Sequence, residues 1–210
     1  MSLRGLVTIM ALLATSAVGG FAAAAHLAPD PVTTGTPGPV SATNPSVPID
    51  PPAPRQEDPT EPALRPGLPL REVSVGTDSY KFSFPVPLGW RRINTSSNEV
   101  KYKVPGNPPN TYVLRVEQVV SQHEKIPDIV QAAEDDLQRE FEDYERIART
   151  YDSLEFSYLY AGYRRFGFIT WLDLTRSGQA EAEVALTGRE VDVPGMRELM
   201  ITVIRGIRAD

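Results

Sequence analysis

Large apolar residues recur with two different spacings over residues 71–210 and are almost absent from residues 28–70. Tyr80-Lys81-Phe82-Ser83-Phe84 alternates apolar with polar, the pattern of a half-buried strand, and Pro85-Val86-Pro87-Leu88-Gly89 ends it. Glu99 to Val104 reads as a short strand closed by Pro105-Gly106-Asn107-Pro108-Pro109. From Thr111 to Val120, Tyr112, Leu114 and Val116 share one face, and Val113, Arg115 and Glu117 the other. The spacing then changes to three and four: Ile126, Ile129, Val130, Ala133, Leu137, Phe141 and Tyr144 predict a helix, with Pro127 and Asp128 suited to its first turn. Period two returns in Arg146 to Tyr151, in Leu154, Phe156, Tyr158 and Tyr160, in Phe166 to Thr175, and in Ala180, Ala182, Val184 and Leu186. Arg176-Ser177-Gly178-Gln179 predicts a tight turn joining the last two as an antiparallel hairpin. Both faces of the Phe166 strand are apolar in places, so the sheet is expected to be covered on both sides. A C-terminal helix opening at Pro194, with Met196, Leu199, Met200, Val203, Ile204 and Ile207 on one side, supplies the second cover. The order predicts an α+β domain over residues 71–210, a single antiparallel β-sheet of about six strands flanked by helices.

The chain before residue 71 has a different character. Arg4 precedes an uncharged run from Gly5 to Ala25, most apolar from Leu6 to Val18 and ending in small residues. Residues 1–27 therefore read as a signal peptide cleaved near Ala25 or, uncleaved, as an N-terminal membrane anchor. The weakly apolar Gly/Ala half favours cleavage, and both readings place the rest of the chain outside the cytoplasm. Thirteen of the 20 prolines lie between Pro29 and Pro69. Fixed φ angles and missing amide donors in a stretch without large apolar residues predict a disordered, polyproline-like linker over 28–70.

Composition narrows the function. Residues 71–210 carry 18 Lys+Arg against 22 Asp+Glu, and the whole chain has a net charge of −6. A nucleic-acid binder needs a basic face, so no such partner is expected. The absence of cysteine excludes disulfides, thiol catalysis and Cys-ligated metals, and two histidines exclude a multi-histidine site. His123 stands in Ser121-Gln122-His123-Glu124, yet triad members converge from separate elements and no nucleophile elbow is present, so it reads as a loop histidine. The acids Glu134-Asp135-Asp136, Glu140, Glu142, Asp143 and Glu145 lack a calcium-loop pattern and read as a solvated helix face. No phosphate loop occurs. No catalytic residue, metal or cofactor is therefore expected. Asp192 is placed to cap the last helix. Aromatic residues gather in the middle hairpin, where Tyr160, Tyr163, Arg164 and Arg165 lie at or near a turn. With Trp90 after the entry turn they form the candidate interaction surface, since Tyr, Trp and Arg are the residues that anchor interfaces.

Tyr80-Lys81-Phe82-Ser83-Phe84-Pro85-Val86-Pro87-Leu88-Gly89-Trp90-Arg91 resembles the opening strand and turn of the Mog1/PsbP-like fold as found in exported actinobacterial proteins. Leu154-Glu155-Phe156-Ser157-Tyr158, with Gly162 and Arg164 following, is similar to the middle hairpin of LpqN/LpqT-like lipoproteins and of domains that follow membrane-anchored serine/threonine kinases. The resemblance implies an antiparallel sheet flanked by helices and a binding or assembly role without shared catalytic residues. The lipobox cysteine of the lipoproteins is missing here. The reading is thus a non-enzymatic extracytoplasmic module of the cell envelope that binds, senses or assembles with an envelope protein. The alternative is a carrier of a small apolar ligand or lipid in a cavity between sheet and helix. A third reading, an envelope hydrolase, would need paired carboxylates such as Asp173 or Glu155 in one pocket.

Overall fold

The structure is a computed structural model that describes residues 55–77, 80–94, 96–108, 111–119 and 125–210. The chain forms β1 (Leu70–Thr77), β2 (Tyr80–Pro87), β3 (Arg91–Asn94), β4 (Glu99–Lys103) and β5 (Val113–Gln118). Helix α1 (Ile126–Glu140) follows, then β6 (Glu142–Arg149), β7 (Ser153–Tyr160), β8 (Tyr163–Leu172) and β9 (Ala182–Gly188). A 3₁₀ turn (Glu190–Asp192) leads into α2 (Val193–Gly206) and the short β10 (Arg208–Ala209). The class is α+β with antiparallel pairing, as expected, but there are two sheets where one was predicted. Seven strands run in the order β3-β4-β5-β9-β8-β7-β6, and β1-β2-β10 form a separate sheet of three. The opening strand, β2, is thereby removed from the main sheet. Its partner β1, Leu70-Arg71-Glu72-Val73-Ser74-Val75, carries too few apolar residues for its period to show.

Two cores result, one on each face of the seven-stranded sheet. On the first face, Val100, Tyr102, Leu114, Val116, Val184 and Leu186 meet Phe82, Phe84 and Val86 of β2 and Met196, Leu199, Met200 and Val203 of α2. The second cover is therefore α2 together with the small sheet. On the other face α1 lays Ile126, Ile129 and Val130 on Leu154, Phe156, Ile169, Trp171 and Ala185. Helix α1 ends at Glu140, although the three-and-four spacing continues to Tyr144. Phe141 is already extended (φ −109°, ψ 135°) and Asp143 is left-handed (φ 50°). Phe141 and Tyr144 still reach the same core from this extended chain, with ring centroids 4.4 Å from Tyr158 and 5.6 Å from Phe156. The pattern thus marked a common face, which a strand bordering the helix serves as well as another turn would.

The expectation of a core-free linker up to residue 70 is corrected over 55–70. Leu64 is buried in the first core, and residues 56–64 are hydrogen-bonded to the domain. A single leucine and a row of main-chain carbonyls, invisible to composition, hold this stretch down. The signal or anchor segment and residues 28–54 lie outside the described residues. Among the described residues no helix is long and apolar enough to cross a membrane. Helix α2 begins with Pro194 in its first turn, but the Asp192 side chain does not cap it. That carboxylate instead pairs with Arg189.

Candidate functional site

Helix α1 covers only part of its sheet face. It is seated over β6, β7 and β8 by its buried apolar stripe and by Glu134, whose buried carboxylate accepts from Arg146 Nη1 (3.0 Å), Arg149 Nη1 (2.8 Å) and Tyr144 Oη (3.3 Å). The strands beyond β8 are left open. Alternation and register place Lys101 of β4, Val113 and Arg115 of β5, and Ala185 and Thr187 of β9 on the same face. With Glu140 and Phe141 at the end of α1 and Tyr158 and Tyr160 of β7, these residues line an open groove of about 430 Å³.

The floor and one wall of this groove have different chemistry. Arg115 donates to Glu99 (3.2 Å), Glu117 (3.0 Å) and Glu183, and Lys101 lies 3.4 Å from Glu99. Trp171 Nε1 donates to Glu183 at 2.9 Å, tying the cluster to the second core. Burial opposes the Arg115 charge, but Glu183, Glu117 and Glu99 outweigh it and hold its pKa above the ordinary value. Desolvation pushes the Glu117 carboxyl up despite Arg115. The opposite wall is aromatic: Phe141 packs 4.4 Å from Tyr158 and edge-on to Tyr160 at 6.2 Å. Tyr158 is pushed up to about 12 by burial, only partly offset by Arg165, so its hydroxyl is protonated at neutral pH. Tyr160 is 61% exposed. Lys101, Arg115 and Glu140 are the charged residues of the lining, and Arg115 is committed to Glu99, Glu117 and Glu183 beside it, so an ion cluster borders the aromatic face.

The candidate surface read from the sequence is only partly assembled. Tyr160 and Tyr163 face each other across a two-residue turn, Ala161-Gly162, in which both residues have positive φ (50° and 84°), as a type I′ hairpin requires. Arg164 reaches Asp143 O (3.1 Å) and Ser157 Oγ (3.4 Å). Arg165 is buried, lies 4.9 Å over the Tyr163 ring and pairs with Asp58 at 2.6 Å. Trp90 is only 6% exposed and stacks on Tyr112 at 5.5 Å in the first core. Trp90 and Arg165 are therefore interior residues, because each found an internal partner, and Tyr160 is the member of the set that lines the groove.

No family model matches the sequence, and neither does any curated protein. Two solved structures are similar to it in fold. One is LpqN of Mycobacterium tuberculosis, described as involved in cell envelope biogenesis. It is 15% identical with a TM-score of 0.41, and the match covers 67% of this chain and 91% of that one. The other is the cyanobacterial PsbP (CyanoP) of a Synechocystis species, 14% identical with a TM-score of 0.44 over 67% of this chain and 92% of that one.

The chemistry weighed against this groove is dispersed. Glu155 pairs with Arg197 at a second, smaller groove of about 280 Å³ between β6–β8 and α2, lined also by Phe168, Thr170 and Met200. Asp173 accepts the Ser177 and Gly178 amides of the β8–β9 connection, both at 2.8 Å. Asp173 and Glu155 are thus not brought together. Ser121, His123 and Glu124 lie outside the described residues. Beneath α2, Met196, Leu199 and Val203 pack into the first core, and the smaller groove opens along the same helix at Met200 and Ile201. Sequence reasoning missed Lys101, Arg115, Phe141 and Thr187 as groove residues. The signal was present in the charged alternate face Val113-Arg115-Glu117, but only the register that brings Glu99 and Glu183 beside Arg115 gives it meaning.

Proposed function

We propose that the chain is a non-enzymatic binding or assembly module of the cell envelope, carried outside the cytoplasm by residues 1–27, and that it engages a protein partner through the groove beside α1. The observation that carries this reading is the half-covered sheet, where α1 shields β6–β8 and the buried Ala185 and leaves Lys101, Val113, Arg115 and Thr187 half-exposed beside Phe141, Tyr158 and Tyr160. A concave surface with aromatic residues and a few fixed polar groups is the usual form of a recognition site. The aromatic wall beside Glu140 suits a partner segment that brings an apolar side chain and a basic group, the latter seated over Tyr160 or Phe141. The buried carboxylates support a binding role over a hydrolytic one, because Glu134 and Asp192 are each held by arginine rather than by a second acid.

The test is site-specific photocrosslinking in the native cell, with the reactive group at Thr187 in the groove and at Ile201 in the smaller groove, using the full chain. The reading expects one discrete envelope-protein adduct from position 187 and none from position 201. Equal adducts from both positions, or none from position 187, would overturn it.

A further inference from the structure

We propose that one end of the seven-stranded sheet carries a binding site for an extended, proline-containing peptide, and that residues 55–64 occupy this site in cis. Arg189 reads the main chain of that segment: Nη1 donates to the carbonyls of Pro59 (2.7 Å) and Glu61 (2.9 Å), and Nη2 to that of Pro62 (3.2 Å). It is also held from within the domain. Asp192, three residues on, accepts from Arg189 Nε, Nη2 and the main-chain N at 2.8, 2.8 and 3.0 Å. These bonds anchor the guanidinium fork from the β9–α2 connection, and with the segment in place the two side chains are 1% and 0% exposed. The same carboxylate accepts the Leu64 amide at 2.9 Å. Farther along, Gln56 N donates to Gly162 O at 2.8 Å.

Main-chain groups thus supply most of the contacts, and two side chains of the segment supply selectivity. Asp58 meets Arg165 at 2.6 Å, and Leu64 enters the first core. Helix α2 admits Leu64 because residue 195 is glycine: a Cβ there would stand 2.1 Å from the Leu64 carbonyl oxygen. This division of labour, affinity from the backbone and specificity from spaced side chains, is how peptide-binding domains hold extended ligands. The ligand class follows as an extended peptide with prolines between an acidic residue and a leucine six positions later. Prolines suit it, since they offer carbonyls without amide donors and lose little freedom on binding.

The fit of the cis segment is incomplete, which makes it displaceable. Arg165 Nη2 and Glu61 Oε2 are buried without a hydrogen-bond partner. Each such atom weakens an occupant by about five- to hundredfold against one that satisfies it. A competing peptide that supplies an acceptor to Arg165 and a smaller or uncharged residue in place of Glu61 outbinds residues 55–64.

The experiment places a protease recognition sequence between Arg65 and Pro69 of the full chain and cleaves it. The two fragments are then followed by size-exclusion chromatography over a dilution series, with circular dichroism on the larger one. The proposal expects the larger fragment to keep its fold and the two to co-elute when concentrated and separate on dilution. A synthetic peptide of residues 55–64 displaces the native segment. Peptides with Asp58→Ala or Leu64→Ala, and a chain with Arg189→Lys, are each about tenfold weaker. Loss of the fold on cleavage overturns the proposal, since the segment is then part of the core. So do fragments that separate at every concentration, or a wild-type peptide no better than its variants.

Discussion

The ion cluster that seats α1 gives a quantitative test of how burial is shared within it. The Glu134 side chain is 2% exposed, whereas Arg146 and Arg149 are 52% and 27% exposed. Removing the acid and removing the bases are therefore unequal perturbations. In Glu134→Gln the arginines turn to water and the amide keeps the shape, so the cost is the net worth of charge-assisted hydrogen bonds, about 1–2 kcal/mol. Arg146→Ala alone costs less than about 1 kcal/mol, because a half-exposed ion pair is screened by solvent. Arg146→Ala with Arg149→Ala leaves a carboxylate buried without a countercharge, which costs about 3–5 kcal/mol. Adding Glu134→Gln to that double variant removes the stranded charge and restores part of the loss. The assay is urea unfolding of the full chain followed by tryptophan fluorescence, since Trp171 lies in the same core. With a denaturant slope of about 2 kcal/mol/M, the double-arginine variant unfolds roughly 2 M earlier than the parent. If it unfolds no earlier than Glu134→Gln, or if adding Glu134→Gln restores nothing, the account of Glu134 as a buried charge held by arginine is wrong.

Burial raises Tyr144 and Tyr158 to about 12, above the ordinary 10.0. The folded state therefore holds these protons longer than the unfolded one, so their stabilising contribution is complete below pH 10 and is lost as pH rises toward 12. Tyrosinate absorbance should show a late phase that disappears in Tyr144→Phe with Tyr158→Phe, and an unchanged titration would contradict it. Glu117 is also raised, from 4.5, so its ionisation opposes folding at neutral pH, and the penalty fades as pH falls through its folded pKa toward 4.5. Glu117→Gln should raise stability by less than about 1 kcal/mol at pH 7 and by nothing near pH 4, read from melting temperatures at the two values. Trp90→Ala should destabilise by about 3–5 kcal/mol and Tyr160→Ala by less than about 0.5 kcal/mol, although both were grouped as one surface in the sequence. Denaturant melts giving similar losses would return Trp90 to the surface.

Much of the fold was readable because burial imposes a period. Phe82 and Phe84, Leu114 and Val116, Val184 and Leu186 alternate because each strand has one face in a core. The period could not say which sheet a strand joins: β2 alternates as a member of the main sheet would, and only pairing with β1 and packing across the first core removes it. Nor could it separate the end of α1 from the start of β6, since Phe141 and Tyr144 serve the same core from either backbone. The groove was less legible still. Its residues come from β4, β5, α1, β7 and β9, and what joins them is register and the limited reach of one helix. Pro59 to Leu64 was hidden for another reason: Arg189 recognises its carbonyls, which every residue possesses.

The two outer strands of the seven-stranded sheet decide how the molecule behaves beside its own copies. Strand β6 is bulged twice, between Glu142 and Glu145 and between Arg146 and Ala148, and its side chains are mostly exposed and charged. At the opposite border β3 is four residues long and opens with Arg91-Arg92. Bulges, charges and shortness are the means by which an open sheet refuses a further strand. Neither border of this sheet is therefore a ready template on which another chain could add a strand.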